Sequence, residues 1–253
     1  MINYYLIIYL AKFISKNYKI KLLYNLLNYL DNEFLYYLKN KYSNLEIINI
    51  TNGINYNDYN CKKLKRSNRY IYLFGGKIIN KCIKNIINVE KIFMSNEIRV
   101  INGESFMGYK NMNEIIFSKN LEHIGIQSFQ CCENLKQIIF PENLKQIDGH
   151  SFFGCHNLEN IIFNNKLVYI GAFAFTYCKK LNNINLPKNI FIINEGTFMG
   201  CNFSELTIPD NIKIIKDDSF YKCNNLKQLY ISKNIYYIGN SILSNNNIKI
   251  IYY

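Results

Sequence analysis

The sequence predicts a solenoid in which one short unit is copied along an axis, with a parallel β-sheet on one face and about 23 residues per coil. A phenylalanine recurs every 23 residues, with the last copy one residue early: Phe106, Phe129, Phe152, Phe175, Phe198 and Phe220. The residue three positions further on keeps the same spacing: Tyr109, Cys132, Cys155, Cys178, Cys201 and Cys223. Each copy also carries an alternating segment such as Leu135-x-x-Ile138-x-Phe140, which is typical of a strand buried on one face. These observations indicate one continuous array.

Residues 1–44 lack this period. Their leucines and one phenylalanine recur at helical spacing: Leu22, Leu23, Leu26, Leu27, Leu30, Phe34, Leu35 and Leu38. A solenoid needs a cover for the apolar face of its first coil. We therefore expect two or three amphipathic helices that form an N-terminal cap, and a small separate module that binds a partner is the alternative.

We expect residues 45–97 to form irregular or degenerate repeats with a basic loop. Leu45, Ile48 and Ile50 indicate a strand of the repeat type, and Tyr70 to Phe74 indicate another after a polar interruption. Residues 1–97 carry 15 Lys and Arg against 6 Asp and Glu, whereas residues 98–253 carry 15 against 12. The densest run of positive charge is Lys62, Lys63, Lys65, Arg66 and Arg69. This run favours a solvated segment, and an anionic surface or nucleic-acid site is the alternative.

Residues 98–253 form the regular part of the array. From Ile124 to Ile147 the order is Ile-Gly-x-x-Ser-Phe-x-x-Cys-x-x-Leu-x-x-Ile-x-Phe-Pro-x-x-Leu-x-x-Ile. This pattern resembles the BspA-like (Treponema pallidum type) leucine-rich repeat, closely over residues 98–253 and loosely over 75–97. The resemblance implies a right-handed solenoid whose strands line one face, and a surface or secreted protein that binds host or matrix proteins.

Other recurring residues predict structural roles. The repeated cysteines are interpreted as small buried packing residues, because their spacing matches no zinc or redox motif. Asparagines that follow the strand, such as Asn120 and Asn143, are expected to point inward and bind backbone groups of the adjacent coil. Gly125 and Gly171 share a turn position at which we expect a positive φ that does not require glycine, because Asp148 is equivalent to them.

Signatures of catalysis are missing. The sequence has no GxGxxG, phosphate loop, GxSxG or HExxH motif, and its three histidines, His123, His150 and His156, share no repeat position. We therefore predict a non-enzymatic protein without a cofactor, a metal site or catalytic residues.

The best candidate for a binding site is the outward face of the sheet. The position between the two inward residues of each strand is apolar at one end and aromatic at the other: Phe93, Ile116, Ile139, Ile162, Tyr230 and Tyr252. Polar residues run beside it, among them Glu114, Gln137 and Asn160. Such a row predicts a protein interface, although β-branched residues also favour strands whichever way they point.

These observations favour a monomeric scaffold that binds a protein or peptide along the sheet. The alternatives are an adhesin of the family type and an anionic-surface or nucleic-acid binder. The apolar run Tyr4 to Leu10 has no preceding Lys or Arg and no small-residue cleavage site, and no stretch reaches the roughly 18 apolar residues that a bilayer requires. We expect no transmembrane segment and an intracellular, for example cytoplasmic, location, with the cell surface as the alternative.

Overall fold

The computed structural model describes residues 45–49, 70–74, 78–79, 88–243 and 248–253. They form a parallel β-solenoid of about seven turns. The described strands are, in chain order, β1 (Leu45–Asn49), β2 (Tyr70–Phe74), β3 (Ile78–Ile79), β4 (Lys91–Met94), β5 (Val100–Ile101), β6 (Glu114–Ile116), β7 (His123–Ile124), β8 (Gln137–Ile139), β9 (Gln146–Ile147), β10 (Asn160–Ile162), β11 (Tyr169–Ile170), β12 (Ile192–Ile193), β13 (Glu205–Ile208), β14 (Ile214–Ile215), β15 (Gln228–Ile231), β16 (Tyr237–Ile238) and β17 (Lys249–Tyr252).

The longer strands build the predicted sheet, which we call the first sheet. Its hydrogen-bonded orders are β1-β2-β4-β6, β8-β10 and β13-β15-β17, and each pair is parallel. Side chains alternate as the pattern predicts: Ile138 is buried, whereas Gln137 and Ile139 on either side of it are exposed. The strands predicted around Leu45 and at Tyr70 to Phe74 are present as β1 and β2.

The two-residue strands form a second sheet, in the orders β3-β5-β7-β9-β11 and β12-β14-β16. The sequence indicated only an apolar position here, because two residues are too short to show alternation. One residue of each strand points into the core, as in Ile124 and Ile147, both 0% exposed. Each coil is therefore closed by two short parallel ladders on different faces.

The recurring phenylalanines form a continuous stack through the core. Consecutive ring centroids from Phe106 to Phe220 are 5.2, 5.0, 5.3, 5.9 and 6.0 Å apart, and the rings lie within 16° of parallel. Aromatic pairs of this kind contribute about 0.5–1.5 kcal/mol each beyond the burial of their area. The stack thus holds each coil to the next.

The cysteine column confirms the packing interpretation and adds a detail. Each thiol donates a hydrogen bond to the carbonyl of the stacked phenylalanine one coil earlier, at 3.2 Å from Cys132 to Phe106 and 3.5 Å from Cys178 to Phe152. Burial raises the pKa of these thiols, to about 12 for Cys223. They are free thiols that are kept protonated.

The expectation of a positive φ in the turn before each phenylalanine is wrong at the glycines. Gly125 and Gly171 do not have positive φ. A Cβ atom on Gly125 would lie 2.7 Å from the amide nitrogen of Gly103, so close approach of the backbone explains that glycine. Positive φ occurs instead two residues before and two residues after the phenylalanine, as in Gln127 and Cys131.

The turn asparagines do make the expected bonds to the neighbouring coil. The Asn120 amide donates to the Asn96 carbonyl at 2.7 Å, and the Asn143 amide donates to the Lys119 carbonyl at 3.1 Å. Their side chains lie at the surface and do not point inward, so they form an external amide row.

Two predictions cannot be compared with the structure. The helical cap at residues 1–44 and the basic run from Lys62 to Arg69 lie outside the described residues. Within the described residues, no helix has the length and apolar character needed to cross a membrane.

Candidate protein-binding face

The outward surface of the first sheet carries three adjacent exposed isoleucines, which we call the isoleucine row. Ile116, Ile139 and Ile162 on β6, β8 and β10 are 39%, 59% and 56% exposed. Neighbouring strands lie about 4.8 Å apart, so the three side chains form one strip across the sheet. Strand alternation explains their direction, because the preceding residues Ile115, Ile138 and Ile161 point into the core.

The two ends of the predicted row differ from the expectation. Phe93 is only 3% exposed, so the solvent-accessible row begins at Ile116. Tyr252 pairs with Ile231, and Ile251 is the residue beside Tyr230. The last coil is shorter than the period, which shifts its register by one residue and removes Tyr252 from the row.

Polar residues flank the isoleucine row as the sequence indicated. Lys91 and Glu114 form an ion pair across β4 and β6, with 2.5 Å between Nζ and Oε2. Gln137 and Asn160 are exposed on the next two coils. Their amides can donate and accept hydrogen bonds, so this flank can orient a bound chain.

Tyr230 extends the face toward the end of the described coils. Its hydroxyl donates to Oε1 of Gln228 at 2.6 Å, which fixes the ring over the polar flank. Asn185 and Thr207 are the exposed residues between Ile162 and Tyr230. The face therefore changes from aliphatic to polar and then to aromatic along the solenoid.

The histidines make structural contacts. His123 Nε2 lies 2.8 Å from Oδ2 of Asp148, and a ring nitrogen of His156 lies 3.0 Å from the Tyr177 carbonyl. Burial lowers the pKa of His150, whose ring stacks on Phe173 at 5.0 Å. Among the described residues, no group of three or more His, Cys, Asp and Glu could hold a metal ion.

The sequence reading missed a second apolar surface, on the outside of the second sheet. Its members, which we call the aromatic surface, are more than 40% exposed: Val168, Tyr169, Phe191, Tyr236 and Tyr237. They lie one or two residues before the inward isoleucine of their coils. This spacing from the inward isoleucine could have predicted the aromatic surface from the sequence. It does so only if the isoleucine is recognised as part of a strand.

The chain matches the model of the BspA type leucine-rich repeat region in six copies, over residues 76–173 and 147–253. It is similar to a leucine-rich repeat protein from Bacteroides ovatus, with 23% identity and a TM-score of 0.55 over 72% of this chain, and it spans only 48% of that protein. It is also similar to the T. pallidum leucine-rich repeat protein, with 21% identity and a TM-score of 0.57 over 68% of this chain and 82% of that one.

No curated protein sequence matches the chain. The two structural similarities support the fold alone, and the family match covers more than two thirds of the residues. Leucine-rich repeat solenoids are typically non-enzymatic scaffolds. The chain belongs to the BspA-type leucine-rich repeat family.

Proposed function

We propose that this protein is a non-enzymatic scaffold that binds a protein or peptide partner through the outward face of its first sheet. The observation that carries the proposal is the isoleucine row, with Ile139 and Ile162 more than half exposed on adjacent strands. Monomeric proteins seldom leave adjacent large aliphatic side chains in water, and such patches mark interaction sites.

The energetics define the size of the partner. Full burial of an isoleucine contributes about 1.5–3 kcal/mol, so the three half-exposed side chains supply about 3 kcal/mol. A Kd of 1 µM requires about 8 kcal/mol, before the cost of association is added. The partner must therefore extend beyond the isoleucines, along the polar flank toward Tyr230.

The test compares a triple variant, Ile116→Glu/Ile139→Glu/Ile162→Glu, with wild type. The purified proteins are used to capture partners from a lysate of the native host, captured proteins are identified by mass spectrometry, and the affinity of a recovered partner is measured by calorimetry. We expect the triple variant to lose that partner, because three carboxylates would be desolvated at the interface. Circular dichroism checks that both proteins are folded.

The matched control is Ile126→Glu, because Ile126 is 52% exposed but lies outside the first sheet. It should retain the partner with unchanged affinity. If the triple variant binds the partner as tightly as the wild type does, the assignment of the interface to this face is wrong.

Membership of the BspA-type family favours one alternative, a surface adhesin with the same binding face. Cell fractionation and surface protease treatment separate the two roles. Cleavage of the protein on intact cells would support the adhesin, and recovery only from lysed cells would support the intracellular scaffold. The basic run from Lys62 to Arg69 supports a weaker alternative, an anionic ligand, for which affinity would fall steeply with salt.

A further inference from the structure

The aromatic surface lies on the second sheet, away from the isoleucine row. Phe191 and Tyr236 are 60% and 83% exposed, and Tyr169 and Tyr237 are 44% and 49% exposed. The described residues offer the hydroxyls of the three tyrosines no hydrogen-bond partner. Each tyrosine therefore combines an open apolar face with a free donor, which is the composition of interface hot spots, and Phe191 adds an apolar ring without a donor.

The earlier coils of the same sheet have a different surface. There the outward positions form a ladder of ion pairs, with Glu122 lying 2.9 Å from Arg99 and 2.8 Å from Lys145. Each of these charges is paired with an opposite charge on a neighbouring coil. Val168 stands 23 residues after Lys145, and Phe191 and Tyr236 occupy the same position on later coils, with Lys213 on the coil between them. The aromatic surface is therefore a local feature and not a property of the repeat.

A cleft adjoins the rings on the same coils. It has a volume of about 370 Å³ and is lined by Glu195, Ile214, Lys216, Asp217 and Tyr237. Oδ1 of Asp217 is buried without a hydrogen-bond partner. The two carboxylates outnumber the one lysine, so the cleft is complementary to a cationic side chain.

The exposed area argues against a second copy of this chain as the occupant. Aromatic side chains present about 150–250 Å² each, so the four rings at these exposures leave about 500 Å² accessible. A standard interface requires about 800 Å² from each partner. The surface is too small for a stable dimer and has the size of a short peptide site.

The spacing of the rings identifies the conformation of that peptide. Phe191 and Tyr236 lie one residue before β12 and β16, which are two steps apart in the ladder β12-β14-β16. Two steps of a parallel sheet span about 9.6 Å. A polyproline II helix has three residues per turn and rises about 3.1 Å per residue, so it repeats every ~9.3 Å. Two prolines three residues apart would therefore meet the rings of Phe191 and Tyr236, and the residues between them would pass over Lys213 of the middle coil.

Polyproline II also suits the free hydroxyls. This helix has no internal hydrogen bonds, so its carbonyls remain open to donors. Aromatic-lined surfaces are a general means of binding proline-rich segments.

We propose that the aromatic surface binds a short proline-rich segment of a partner protein in the polyproline II conformation, with an arginine of that segment in the cleft beside Asp217. The site is independent of the isoleucine row, so either proposal can fail without the other.

The probe is a fluorescein-labelled peptide, Ala-Arg-Pro-Leu-Pro-Pro-Leu-Pro-Ala, titrated with the full chain and followed by fluorescence anisotropy. We expect saturable binding that weakens at least tenfold in Phe191→Ala/Tyr236→Ala, because both rings would leave the peptide contact. Ile126→Ala is the matched control, since Ile126 is 52% exposed elsewhere on the solenoid, and it should bind as wild type does. Circular dichroism confirms the fold of each variant.

A second comparison tests the cleft. Asp217→Asn should weaken the arginine peptide several-fold and leave a peptide with alanine in place of arginine unchanged. A control peptide in which glycine replaces every proline should bind at least tenfold more weakly than the probe, because it must lose more conformational entropy.

Four outcomes would overturn the proposal. They are no saturable binding at millimolar protein, equal affinity for the probe and the glycine peptide, equal affinity of wild type and Phe191→Ala/Tyr236→Ala, and self-association in sedimentation velocity that the same double variant abolishes. The last would assign the surface to a second copy of this chain.

Discussion

The left-handed turn residues allow a direct test of how the solenoid balances strain against stacking. In the turns around Phe106, Phe129, Phe152, Phe175 and Phe198, the amides of the phenylalanine and of the residues two positions before and after it donate to carbonyls of the next coil; those of Gln127, Phe129 and Cys131 do so at 3.1, 2.7 and 2.8 Å. Both flanking residues have positive φ, and eight of the twelve such residues are not glycine. A left-handed residue other than glycine costs about 1–2 kcal/mol.

Lys222 is the clearest position for relieving this strain, because it has φ 58° and an exposed side chain. Lys222→Gly removes the cost of about 1–2 kcal/mol and adds about 0.4–1 kcal/mol of chain entropy to the unfolded state. We expect a net increase of about 0.5–1 kcal/mol in the free energy of unfolding. Lys222→Ala keeps the Cβ atom and the strain, so it should differ from wild type by less than about 0.5 kcal/mol.

Gly108 offers the reverse experiment. It has φ 78°, and a Cβ atom there would meet nothing within 4 Å. Gly108→Ala therefore adds strain without a clash and should destabilise by about 0.5–1.5 kcal/mol. At Gly200 a Cβ atom would lie 2.4 Å from the ring of Tyr177, so Gly200→Ala should cost more.

The assay is urea unfolding followed by circular dichroism, with the free energy taken from the linear extrapolation. The order of stability should be Lys222→Gly, wild type, Gly108→Ala and Gly200→Ala. A neutral Gly108→Ala together with a destabilised Lys222→Gly would refute the reasoning, because it would mean that φ does not limit these positions.

Three further predictions concern the core and the histidines. Phe152→Leu should lower the free energy of unfolding by about 2–4 kcal/mol in the same urea assay, since it removes two stacked pairs and leaves a void; a loss below 1 kcal/mol would mean that the stack adds little. In native protein, iodoacetamide should label the half-buried Cys131 well before buried Cys178, as peptide mapping would show; equal rates would contradict the packing role. Burial lowers the folded-state pKa of His150, so its contribution to stability is complete above about pH 6.5 and is lost as pH falls through the lowered value. The urea midpoint of His150→Gln should therefore fall less between pH 7.5 and 5 than that of wild type. Equal falls would show that His150 does not contribute to the pH dependence of stability.

The period made most of the described fold predictable. One spacing located the phenylalanine stack, the cysteine column and the alternating strands, because neighbouring coils must bury one another at the same positions. The exposed Ile139 and Ile162 were predictable for the same reason, since alternation leaves only one direction for the residue after the inward isoleucine.

The remainder depended on geometry that a pattern does not encode. Phe93 is buried although its strand position predicts an exposed side chain. Tyr252 is shifted in register because the last coil is shorter than the average period. The positive φ at Gln127 and Cys131 was hidden because neither residue is glycine. The aromatic surface needed the second sheet, whose two-residue strands give no periodic signal.

The ladders are interrupted together at one place in the described coils. The first sheet has no hydrogen-bonded strand between β10 and β13, and the second sheet breaks between β11 and β12. The turn bonds, the contact of Phe175 with Phe198 and a 2.7 Å bond from the Asn194 amide to the Ile170 carbonyl continue across the gap. Under tension or in mild denaturant this junction should part before any other, so that the solenoid melts as two cooperative blocks. Each block carries one exposed apolar surface: the isoleucine row lies before the junction, and most of the aromatic surface lies after it. A partner that binds both surfaces would therefore stabilise the junction against separation.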